Sequence, residues 1–408
     1  MQLVNYQMPM PLERDSCQVM VLPRILLAAP HRLPFLAGCI GLVSALTWWL
    51  AVLAGWHSGS ALLHAPMILL LGYAPFVFGF LLTVFPRWMG YSDLGRSRFG
   101  PVGIAIVLGV IATQIGLWTG EGLGLIAGFG LVGIGWVASL TVLGGLVARN
   151  QAEGKPPCWH AISGLIALVL GLLAVSLTLA FLRSGNAATW RWSHAVALGG
   201  FLLPVFLTVA HRMVPFFAGN AVQGYVRWRP DWLLAVLWGL LLARLAGILA
   251  NLGLLAALAQ TGLAAVTLMM AWKWWPRSTA PGLLWVLIVG FAWAPLGFAL
   301  EAWGSLQSDP GLAPVHALTI GFCASLLVAM VTRVTRGHSG RPLAMHPLAW
   351  LAFSAVQAAT IVRIIAGLNY EFLPMLLTAS FILSVGIAPW LIRNAAIYMS
   401  PRVDGKPG

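Results

Sequence analysis

The sequence predicts an all-α polytopic membrane protein of about 12 transmembrane helices, and three observations predict it. The 408 residues are 60% hydrophobic and only 8% charged, whereas soluble domains run to about 25% charged residues. The apolar residues fall in long unbroken runs of roughly 20, the length that spans a bilayer, where a barrel would show alternating strands of about ten. The basic residues stand between these runs, singly and in small groups. Open sheets are excluded in lipid because every backbone polar group must be satisfied internally. Twenty tryptophans, 45 glycines and 25 prolines suit the same solvent, since Trp favours the interfaces and Gly and Pro are tolerated inside spanning helices.

Spans begin near Leu33, Ala61, Pro101, Glu121, His160 and Trp190, then near Asp231, Asn251, Gly282, Gly311, His346 and Leu373. The turn at Ala250–Asn251 is the softest boundary; without it the count falls to eleven. An N-terminal segment (1–32), one transmembrane domain (33–398) and a C-terminal tail (399–408) follow from this division. The first residues carry Glu13, Arg14, Asp15 and Arg24 and no apolar core ending in a small-residue cleavage site, so no removable signal peptide is expected.

Charge tests the count independently. With twelve spans, both termini and the even-numbered loops share one side. That side holds Arg14, Arg24, Arg32, Arg87, Arg96, Arg98, Arg149, Lys155, Arg212, Arg227 and Arg229. It continues with Lys273, Arg277, Arg333, Arg336, Arg341, Arg393, Arg402 and Lys406. The opposite side holds only Arg183 and Arg191, and Arg244 and Arg363 fall inside spans. The rich side is expected to be cytoplasmic, with both termini. The net charge of +13 therefore reflects topology, and no nucleic-acid partner is expected.

The chain also repeats. The second span runs LHAPMILLLGYAPFVFGFLLTVFPRW, the sixth SHAVALGGFLLPVFLTVAHRM and the tenth VHALTIGFCASLLVAMVTRVTRG. Each opens with His-Ala (His64, His194, His316) and closes with Thr-x-x-x-Arg (Thr83 to Arg87, Thr208 to Arg212, Thr332 to Arg336). At ~1.5 Å per residue each His lies about 27–35 Å from its Arg, on the opposite membrane face. The repeats stand four spans apart, so three pseudo-repeated groups of four helices are the simplest reading.

Three histidines at matching depth are a candidate ligand set for haem iron or copper. The competing reading places each at the interface, as a helix-entry residue; His57, near the same level, is more simply a solvated loop residue. At the other face stand His211 in HRMVPFF, His338 in RGHSGRP, His160 and His346, a candidate anion or second metal site, or simply basic anchoring with a Gly-Pro turn. Arg244 and Arg363, within spans, need partners. Haem propionates would suit them; the alternatives are snorkelling or pairing with Glu301 or Glu371. Glycines from Gly122 through Gly124 and Gly128 suggest close helix packing rather than a nucleotide loop. Cys17, Cys39, Cys158 and Cys323 form no CxxC or CxxCH, so any haem would be non-covalent haem b. No Ser-His-Asp set or carboxylate pair stands out among the ten acids.

At HAPMILLLGYAPFVFGFLLTVFPRWMG, HRMVPFFAGNAV and VHALTIGFCASLLVAMVTRVTRGHSGRPL the chain resembles the NnrS family, from about His64 to Pro342. The resemblance implies a bacterial inner-membrane protein with haem and copper, acting in nitric oxide metabolism and resistance to nitrosative stress. It also implies that His64, His194, His211, His316 and His338 match family histidine positions. Many members read His-x-His-Glu where this chain has His64-Ala65-Pro66-Met67, so a site relying on that second His and Glu lacks them here. The arrangement is similar to the haem-copper oxidase core as well, where helices 2, 6 and 10 supply metal-binding histidines, but the oxidase's His-His pair on helix 7 is missing. The expected function is haem binding, with copper as a further candidate and nitric oxide or a related small molecule as ligand. The alternative is a cofactor-free transporter whose outer histidines gate a polar substrate; transporters more often show two sixes and helices broken near the midplane.

Overall fold

The computed structural model describes residues 22–307, 311–368 and 372–405. Cys17, Glu13, Arg14, Asp15, Glu371 and Lys406 lie outside the described residues, as does most of the expected N-terminal segment. Twelve helices long and apolar enough to cross a membrane follow one another. They are α1 (Arg32–Leu53), α2 (Ala61–Trp88), α3 (Arg96–Thr119), α4 (Gly122–Ala152), α5 (Trp159–Ser184) and α6 (Ala187–Ala221). There follow α7 (Trp232–Leu249), α8 (Gly253–Trp274), α9 (Gly282–Ser305), α10 (Ala313–His338), α11 (Pro347–Leu368) and α12 (Leu373–Tyr398).

Most starts fall close to those expected. α3 opens at Arg96 rather than Pro101, because the helix continues past its apolar run into polar sequence. α6 opens at Ala187 because the Asn186 side chain accepts from the Ala188 and Thr189 amides, satisfying donors that a helix start leaves open. The soft boundary between α7 and α8 is a real turn. Asn251 takes a left-handed φ of 57°, a conformation that Asn tolerates better than most residues, and the Leu252 amide closes back on the Gly247 carbonyl at 2.8 Å.

Three helices occupy the centre. Over their spans α2 and α6 are 89% buried and α10 78%, against 33–56% for the other nine. They meet directly: the Tyr73 hydroxyl donates to the Thr319 carbonyl at 2.7 Å, and Phe206 packs edge-on against both Tyr73 and Phe322. Around them the outer helices pack as neighbours, α12 on α1, α1 on α3, α3 on α4, α4 on α5, α7 on α8, α8 on α9 and α11 on α12. The glycines at the start of α4 serve this packing. A Cβ on Gly124 would stand 2.9 Å from Gly116 Cα, and one on Gly128 2.5 Å from the Thr113 amide nitrogen.

The central helices share a second feature. Each turns into π-helix just after its histidine, at Met67–Tyr73, Ala197–Leu202 and Ala317–Ala324. Such wide turns are rare and concentrate at functional sites. Here they hold glycines pressed against neighbouring helices: a Cβ on Gly199 would meet Arg244 Nη1 at 2.8 Å, and one on Gly321 the Trp293 ring at 2.7 Å.

Candidate functional site

His64, His194 and His316 line one cavity. It holds about 250 Å³, and its walls come from α1, α2, α6, α10 and α12, with Leu42, Leu46, Ile68, Leu198, Ile320, Leu383 and Ile387 among them. Ala61, Trp190 and Leu312, at the entries of α2, α6 and α10, stand toward its rim. All three imidazoles are half-buried.

The hydrogen bonds of these rings settle their chemistry. His194 Nδ1 lies 3.0 Å from the Trp190 carbonyl and His316 Nδ1 2.8 Å from the Leu312 carbonyl. A carbonyl only accepts, so Nδ1 carries the proton in both rings and Nε2 is left with the lone pair. That is the arrangement found in metal-ligating histidines, whose other nitrogen donates to a carbonyl, carboxylate or water. The two bonds are equivalent, each reaching back one helical turn. His64 differs: its Nδ1 is buried without a hydrogen-bond partner, and its ring is held by stacking on Trp49 at 4.3 Å. Trp190 does double duty, packing on His194 at 4.4 Å and donating from its indole to the Leu62 carbonyl, which ties the entry of α6 to that of α2.

Among the described residues no three His, Cys, Asp or Glu side chains come within reach of one metal ion. The three imidazoles therefore face the cavity from separate walls instead of forming a single three-ligand set. The donor chemistry fits haem iron or copper, since neutral imidazole is a common ligand for both. The space takes a metal ion with a small ligand as it stands. It lies just below the roughly 300–1,000 Å³ usual for small-molecule pockets, so a whole porphyrin requires the rim to open.

The family model for NnrS protein matches residues 25–402. The chain belongs to the NnrS family. No curated protein matches it. The match to the NnrS model takes in all three central helices and both clusters of histidine at the opposite end of the bundle.

Those clusters are pairs. His211, wholly buried on α6, meets His160 of α5, with His160 Nε2 2.9 Å from His211 Nδ1 and the rings stacked. One turn deeper, Ser163 and Thr208 share a 2.6 Å hydrogen bond, and the Trp238 indole donates to Ser163. His338, at the end of α10, lies 4.7 Å ring to ring from His31, a residue the sequence pattern did not single out. His31 is 2% exposed. Burial pushes its pKa well below the ordinary histidine value, and the neighbouring His338 and Arg32 push the same way. Its signal in the sequence was position alone, next to Arg32 at the basic end of the first span. His346 accepts from the Leu348 amide, and His57 sits 3.0 Å from the Trp118 carbonyl.

Of the intramembrane arginines, Arg244 forms a bidentate ion pair with Glu301 across α7 and α9, its Nε donating to Oε2 at 2.7 Å. Arg363 is buried on α11.

Proposed function

We propose that this protein is a haem-containing inner-membrane protein of the nitric oxide response, with copper as a second candidate metal at the same donors. The observation that carries the reading is the pair of tautomer-fixed imidazoles, His194 and His316, in one apolar cavity with His64. Family membership supports the physiological context, and the cavity supplies the chemistry. Bound metal would supply a coordination position for a diatomic ligand. The protein's own residues do the rest: the Trp190 and Leu312 carbonyls orient the rings, and aliphatic side chains line the space between them. Arg363, buried on α11, is our candidate for an anionic edge of the cofactor. Arg244, engaged by Glu301, is assigned to that role only if the ion pair opens.

The reading is tested by the visible spectrum of detergent-purified protein from haem-replete cells. A Soret band that shifts when nitric oxide is added is the expected result. Absence of the band would remove the cofactor and favour the transporter; a band indifferent to nitric oxide would remove the ligand.

We further infer, from the basic residues on the even-numbered loops, that both termini are cytoplasmic. Alkaline phosphatase fused after residue 408 should be inactive, and a matching fusion in the α5–α6 turn active. The reverse pattern would invert the topology.

A further inference from the structure

At the arginine-rich end of the bundle a pocket of about 570 Å³ opens between α2, α6 and the α6–α7 connection. Four guanidinium-bearing residues line it: Arg87, Arg212, Arg227 and Arg229. Two of them, Arg87 and Arg212, are the closing arginines of the repeated Thr-x-x-x-Arg pattern, and Arg212 belongs to HRMVPFF. The remaining wall is apolar, with Val84, Trp88, Met213, Pro215 and Phe216. Among the described residues no carboxylate lines it.

The local acids are engaged, Asp93 by the pocket's own Arg87 and Glu153 and Asp404 outside it. Asp93 holds Arg87 through two 2.9 Å hydrogen bonds, and that contact keeps its carboxyl below the usual range and ionised. Glu153 pairs with Arg149 and Lys155, and Asp404 with Arg402. Arg227 is held by Asn220, a neutral partner. Arg212 lies over the Trp88 ring at 4.8 Å. Among the described residues Arg212 and Arg229 form no ion pair, and Asp231 pairs with neither. The pocket thus gathers three arginines outside any ion pair among the described residues, Arg212, Arg227 and Arg229, beside an apolar wall, with the Asp231 carboxylate near enough to act on Arg212 without pairing with it. Topology alone requires basic residues on this face but not their convergence on one concavity.

We propose that this pocket binds a phosphate-bearing anion, either the head group of an anionic phospholipid or free phosphate. Guanidinium matches phosphate oxygens in a bidentate fork, and basic pockets between transmembrane helices recognise anionic head groups. Phe216 and Met213 offer the glycerol and upper acyl region of a lipid an apolar surface.

Native mass spectrometry of the full chain, delipidated in detergent and titrated with phosphatidylglycerol, phosphatidylcholine or inorganic phosphate, tests this. Wild type should retain phosphatidylglycerol in preference to phosphatidylcholine. Arg212→Gln/Arg229→Gln, folded by size-exclusion profile, should lose that preference by about tenfold. A charge-matched control away from the pocket, Arg98→Gln/Arg277→Gln, should keep it. Phosphate that displaces the lipid assigns the anion itself as ligand; lipid retention indifferent to phosphate assigns the head group. Equal retention of both lipids by wild type together with no bound phosphate, unchanged preference in the pocket variant, or an equal loss in the control would each overturn the site. If the pocket variant does not fold, Arg229→Gln alone carries the same comparison.

Discussion

His194→Ala and His316→Ala should each lower the haem content of the purified protein by more than about tenfold. The partner bond of a ligating histidine is worth about 10–100-fold in metal affinity by itself, so losing the ligand should exceed it. These two rings are equivalent, each donating from Nδ1 to a carbonyl one turn back, and each presents the same nitrogen to a ligand. His64→Ala separates two roles. Its Nδ1 has no hydrogen-bond partner and its ring rests on Trp49, so Trp49→Leu should loosen it and lower metal content if His64 is also a ligand. Metal analysis and the Soret band of the three alanine variants check this directly. Unchanged content in all three would make them interfacial histidines.

Glu301→Ala should be strongly destabilising, costing about 3–5 kcal/mol, because it leaves the buried Arg244 without its counter-charge. Both side chains are nearly inaccessible, 3% and 8% exposed, and lipid offers no water to a stranded guanidinium. The double variant Arg244→Met/Glu301→Leu should recover most of the loss, since replacing both members of a buried pair with apolar residues is often neutral. Gly199→Ala should weaken the same region by pushing a methyl against Arg244. Thermal unfolding in detergent reads all three variants. A double variant as unstable as the single would show that the pair does more than neutralise itself.

The sequence by itself determined the class, the number of spans and the depth of the chemistry. Twelve runs of bilayer length and the placing of basic residues between them follow from the cost of polar groups in lipid, and depth follows because helical rise converts residue number into height. His64, His194 and His316 were therefore legible as residues of one level. Direction was not. In helices apolar on every side there is little amphipathic asymmetry to say which face looks inward. The π-helical turns after each histidine shift the facing of everything beyond them. Only the tertiary structure brought the three histidines to one cavity, paired His211 with His160 and His338 with His31, and matched Arg244 to Glu301. It also folded the α6–α7 connection back so that Arg227 and Arg229 meet Arg87 and Arg212. Contacts of this kind join residues far apart in the chain. They depend on which helices take the centre, and that is settled by packing among all twelve.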